Sequence, residues 1–66
     1  MTLKELRRKK YKTLSSFSLA IGEKISTVSM WESRKSKPDI LVAYKISNVL
    51  GVSVDEVVRC FLNKEN

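Results

Sequence analysis

Gly22, Pro38 and Gly51 punctuate this chain, and between these marks apolar residues recur at intervals of three and four. Thr2 followed by Glu5 reads as a capping box, with Leu3 and Leu6 on the apolar face, and predicts a first helix running to about Lys10 or Tyr11. Thr13 fits the N-cap of a second helix, in which Leu14, Phe17 and Ile21 share a face and Gly22 supplies the left-handed residue that ends it. A third helix is expected over about Ile25 to Ser33, with Val28 and Trp31 facing inward. The segment from Ser33 to Pro38 reads as a polar, basic loop, and Asp39 caps a fourth helix. There Ile40, Ala43, Ile46, Val49 and Leu50 keep helical period up to Gly51. Ser53 and Glu56 form a second capping box, opening a fifth helix over about 54–62 that carries Val54, Val57, Val58, Phe61 and Leu62. Lys64, Glu65 and Asn66 are expected to fray. The β-branched run Val52, Val54, Val57, Val58 is the main temptation toward a strand, but the capping box within it argues for helix. The expected fold is all-α: five short helices in one domain over residues 1–66.

A chain of 66 residues buries only about 60% of the surface its unfolded form exposes, leaving room for one core and one binding surface. Thirteen Lys and Arg against seven Asp and Glu give a net charge of +6, which favours an anionic partner: nucleic acid, an acidic membrane surface or an acidic protein. Cys60 is the only cysteine and there is no histidine, so neither an internal disulfide nor an all-protein zinc site is expected, and Cys60 reads as a packed thiol. Nucleophile candidates such as Cys60 and Ser15 lack a histidine to activate them, and the adjacent Asp55 and Glu56 point to different sides of a helix. No enzymatic activity, cofactor or metal is expected. The first helix lacks the broad apolar face of an interfacial helix, and neither a signal peptide nor a spanning run is evident. The expected location is therefore the cytoplasm.

The second and third helices carry the functional signal. Ser18, small and next to Phe17, lets the following helix cross closely; Gly22 permits the tight turn; Val28 and Trp31 pin the later helix to the core. Such a unit, over about 13–33, leaves one face free to enter a major groove. The chain here resembles the phage lambda repressor and Cro group, the XRE family of bacterial and phage regulators. The resemblance is carried by Leu3-Lys4-Glu5-Leu6-Arg7, Phe17-Ser18 with Gly22, Ser26-Thr27-Val28-Ser29-Met30-Trp31-Glu32, Lys37-Pro38-Asp39-Ile40, and Asn48-Val49-Leu50-Gly51-Val52-Ser53-Val54-Asp55-Glu56.

The resemblance implies a regulator of transcription, a small repressor in form, that binds double-stranded DNA as a homodimer on an inverted repeat. The third helix becomes the recognition helix, with Ile25, Ser26, Thr27, Ser29 and Met30 facing bases. Thr13, Lys24, Arg34, Lys35 and Lys37 become contacts to the DNA backbone, and of the other cations Lys10 and Lys12 are expected nearest to it. Arg7 and Glu32 become a structural ion pair, and Val58, Phe61 and Leu62 a dimer interface. The sequence departs from the family pattern at four positions. Leu14 stands where many relatives carry Gln or Asn, Tyr11 replaces a small residue, Glu23 an apolar one, and Arg34 a frequent glycine. With no Arg, Asn or Gln on the recognition face, DNA shape and backbone contacts are expected to carry much of the discrimination. The alternative is a protein-interaction module of the same fold with weak or no DNA binding. No membrane partner and no small-molecule ligand are expected.

Overall fold

The structure, a computed structural model, describes residues 2–62; the fraying expected at residues 64–66 lies outside them. The described chain is all-α: α1 (Leu3–Arg8), α2 (Leu14–Ile21), α3 (Ile25–Glu32), α4 (Ile40–Leu50) and α5 (Val54–Arg59). Four of the five starts are set by a side chain. Thr2 and Ser53 form reciprocal capping boxes with Glu5 and Glu56, Thr13 accepts from the Ser16 N–H, and Asp39 accepts from the Val42 N–H. Each such cap is worth about 1 kcal/mol, a sizeable help to helices this short, which do not persist alone in water.

Three helix ends close through a residue with positive φ: Gly22 and Gly51 at 71° and Arg34 at 66°. After α2 the Glu23 N–H donates to Ser18 O at 3.0 Å, and after α4 the Val52 N–H donates to Ser47 O at 3.0 Å. After α3 the Lys35 N–H reaches Met30 O at 2.9 Å while Arg34 N–H reaches Trp31 O at 3.1 Å. This is the double bond pattern of a left-handed helix closure, which satisfies carbonyls the helix leaves open. A Cβ on either glycine would meet nothing within 4 Å. The demand for glycine there is torsional rather than spatial.

The core gathers Leu3, Leu6, Phe17, Ile21, Val28, Trp31, Ala43, Ile46, Leu50, Val57 and Cys60. Phe17, Ile21, Val28, Ile46 and Val57 are fully buried. Ser18 is also buried, its hydroxyl donating to Ser15 O at 2.9 Å, so a small side chain sits in the core with its polar group satisfied. Tyr11 packs tilted on Phe17 with ring centroids 5.7 Å apart, which gives the bulky residue after α1 a place in the core.

Cations donate to carbonyls at or just past several helix C-termini. Lys45 donates to Ile21 O at the end of α2 (3.1 Å), and Lys10 to Val49 O near the end of α4 (2.9 Å). Arg7 donates to Tyr11 O just past α1 (3.1 Å), and Arg34 to Leu62 O just past α5 (2.8 Å). Positive charge at these carbonyls opposes the negative pole of each helix.

Two helices end earlier than their periodicity predicts. α1 stops at Arg8, because Arg7 O accepts the N–H groups of both Lys10 and Tyr11 in a turn that sends Tyr11 into the core. α5 stops at Arg59. From there Cys60, Phe61 and Leu62 donate to Val57, Val58 and Arg59, successive i→i−3 bonds that tighten the helix into its last turn. Ile40 is 66% exposed although it stands in register with the buried stripe of α4. It is the first residue of that helix and overhangs a groove at the end of α5 rather than the core.

Candidate nucleic-acid interface

α3 is held by its inner face, where Val28 and Trp31 are buried. Its outer face exposes Ile25, Ser26, Ser29, Met30 and Ser33, positions that helical geometry stacks on one side. Thr27 lies half-buried at the edge of this face. The face therefore offers hydroxyls from Ser26 and Ser29 between two apolar side chains, Ile25 and Met30, which are 49% and 44% exposed. Hydroxyls can donate or accept, and the apolar groups suit a thymine methyl.

The start of α2 lies alongside. Lys4, Arg7, Leu14, Ser29, Glu32 and Ser33 together line one shallow cleft, which places Leu14, the first residue of α2, against the outer edge of α3. The Thr13 hydroxyl is engaged, accepting from Ser16 N–H at 3.1 Å and lying 2.9 Å from the Ser16 hydroxyl. What the α2 start presents to an anion is thus its first-turn backbone N–H groups and the positive pole of the helix. Leu14, half-buried, packs on the core instead of supplying a polar contact. Lys24 is the N-cap of α3 and makes no side-chain capping bond, so the first turn of α3, unlike that of α2, is left uncapped by its own residue.

The basic loop after α3 is fastened to that helix, since Met30 O accepts from both Lys35 N–H (2.9 Å) and Ser36 N–H (3.4 Å). Lys35 and Lys37 are exposed on it. Arg34, expected as a phosphate anchor, is exposed and also engaged within the chain. Its guanidinium donates to Leu62 O, past the end of α5, at 2.8 Å. Lys10, expected to approach the DNA backbone, is turned instead to Val49 O.

A buried ion pair joins α3 to α1. Arg7 Nε lies 2.6 Å from Glu32 Oε2, and a second guanidinium nitrogen lies 3.5 Å from Oε1. The third nitrogen donates to Tyr11 O at 3.1 Å, so the guanidinium is engaged on every side. Among the described residues no buried side-chain nitrogen or oxygen lacks a partner. The pair ties the last residue of α3 to α1.

Sequence reasoning missed Lys4, which the structure brings to the cleft beside Ser29 and Ser33. The signal was present: Lys4 precedes Arg7 by three residues and so shares the face of α1 that reaches Glu32. Val58 and Leu62 are exposed and Phe61 is half-buried, away from the α3 face, at a groove completed by Lys37, Pro38, Ile40 and Ala43. Among the described residues no helix is long and apolar enough to cross a membrane.

Compared with protein-family models, residues 3–57 match the helix-turn-helix model. No curated protein and no solved structure matches the chain.

Proposed function

The chain belongs to the helix-turn-helix family of the lambda repressor and Cro type, and from that membership we propose that it is a repressor reading an inverted-repeat operator as a homodimer. The family makes it a DNA-binding regulator of transcription. In the proposed complex α3 enters the major groove, with Ile25, Ser26, Thr27, Ser29 and Met30 toward the bases. The α2 start at Thr13, Lys24, and Lys35 and Lys37 of the loop meet phosphates on either side. Such contacts fix register without carrying sequence information.

The observation that carries this reading is the exposed outer face of α3, flanked by the α2 start and by a basic loop hydrogen-bonded to Met30. The base-facing set lacks any bidentate reader, so direct readout reduces to hydroxyl bonds and thymine methyl contacts, and DNA deformability supplies the remainder. The groove at Val58, Phe61 and Leu62 supports two-fold pairing. A stable protein interface takes about 800 Å² per partner, more than these few side chains offer, so pairing belongs to the DNA-bound state.

Selection of bound duplexes from a random pool tests the proposal. The expected result is an inverted repeat with half-site centres about 34 Å apart. Enrichment of a single asymmetric site would overturn the dimer, and no enrichment at any salt would overturn DNA reading altogether. The second reading, a protein-interaction module, is favoured by one observation: Leu19, Leu41 and Tyr44 are 80%, 76% and 57% exposed. Absence of duplex binding even at low salt would favour it.

A further inference from the structure

Arg34 is the one non-glycine residue with positive φ among those described, at 66°. Glycine closes α2 and α4 at equivalent places, without a side-chain penalty. What arginine adds is reach: its guanidinium donates to Leu62 O at 2.8 Å, 28 residues along the chain. That carbonyl follows the tightened turn of Cys60, Phe61 and Leu62, where the negative pole of α5 attracts a cation. The loop is thus fastened twice, to Met30 O through Lys35 and Ser36, and to the end of α5 through Arg34. Just beyond the fastenings Lys37 and Pro38 line a groove together with Val58, Phe61 and Leu62.

We propose that Arg34 is a positioning residue that locks the Lys35–Lys37 loop to the C-terminal turn, so that DNA contact at the loop and order in the turn are coupled. A phosphate pulling on the loop then stabilises the turn, and by reciprocity a partner that orders the turn tightens DNA binding. The DNA half of this inference rests on the function proposed above; the lock itself does not.

Amide hydrogen exchange on the full chain, wild type beside Arg34→Gly and Arg34→Ala, tests the two halves separately. In free protein both variants should speed exchange at Phe61 and Leu62 about three- to tenfold, the worth of one hydrogen bond. Amides of Phe17 and Val28 should exchange no faster in Arg34→Gly, which removes the left-handed penalty. Unchanged exchange at Phe61 and Leu62 overturns the lock whether or not DNA is bound. With a random-sequence duplex added, those two amides should slow in wild type and stay unslowed in both variants. Equal slowing in variants and wild type overturns the coupling. Binding of the same duplex against salt gives the last readout. A positioning role lowers affinity with the log–log slope retained, whereas a slope smaller by about 0.9 marks a direct phosphate contact and overturns the proposal. A wild type that binds no duplex overturns the coupling together with the proposed function, and leaves the lock to the free-protein exchange.

Discussion

Arg7 and Glu32 face each other with side chains 4% and 9% exposed, so either one left alone is an uncompensated charge in a small core. Glu32→Gln should cost about 3–5 kcal/mol in chemical denaturation, a large share of the stability available to any small domain. The double replacement Arg7→Met with Glu32→Leu should cost less than either single change, because it removes the charge along with its partner. At the opposite extreme Asp55 and Arg59 pair at 2.9 Å in full solvent, where deletion should be close to neutral. Glu5 is held below its ordinary pKa of 4.5, first by the Thr2 backbone N–H, so its folded value is depressed. Its stabilising effect is therefore present at neutral pH and is lost as the pH falls below 4.5 toward the folded value. Glu5→Gln should flatten the acid limb of a plot of melting temperature against pH. Burial pushes the Cys60 thiol up, which leaves it protonated and shielded at neutral pH. Alkylation should be slow in the folded protein and fast in denaturant.

Helices of six to eleven residues depend on their ends, and their ends make the clearest predictions. Gly22→Ala meets no atom but must hold a positive φ, so it should cost about 1–2 kcal/mol. Arg34→Gly relieves the same strain and should raise the thermal midpoint even as it frees the C-terminal turn; a drop would mean that the Leu62 bond outweighs the strain. The starts of these helices were legible in the sequence because a cap acts over three residues: Thr2, Thr13, Asp39 and Ser53 all lie where short-range rules put them. The closures at Gly22 and Gly51 were legible for the same reason, as was the inward face of α3 at Val28 and Trp31. The ends of α1 and α5 were not. α1 yields early to a turn that seats Tyr11 on Phe17, and α5 passes into tighter bonding while keeping a helical pattern of side chains. Ile40 misled because periodicity identifies a face without saying how far the neighbouring helix extends beneath it. The destinations of Arg34 and Lys10, 28 and 39 residues away, are set by tertiary packing, which no local pattern encodes.

Across the whole molecule, a formal charge of +6 overstates what a polyanion can use. Arg7, Lys10, Arg34, Lys45 and Arg59 already answer to carbonyls or carboxylates within the chain. Lys35→Ala and Lys37→Ala should each reduce the salt slope of DNA binding by about 0.9 while leaving the melting curve in place. Lys10→Ala and Lys45→Ala should do the reverse, keeping the slope and losing about 0.5–1.5 kcal/mol of stability. Sedimentation should find single protomers at micromolar concentration and two protomers on the selected operator. The lysines on helix ends also bear on how such a chain can diverge. A descendant that abandoned DNA could shed Lys35 and Lys37 freely, but folding itself would select for Lys10 and Lys45. A persistently basic isoelectric point in such a lineage would then be partly a fossil of architecture, and no proof of continued gene control.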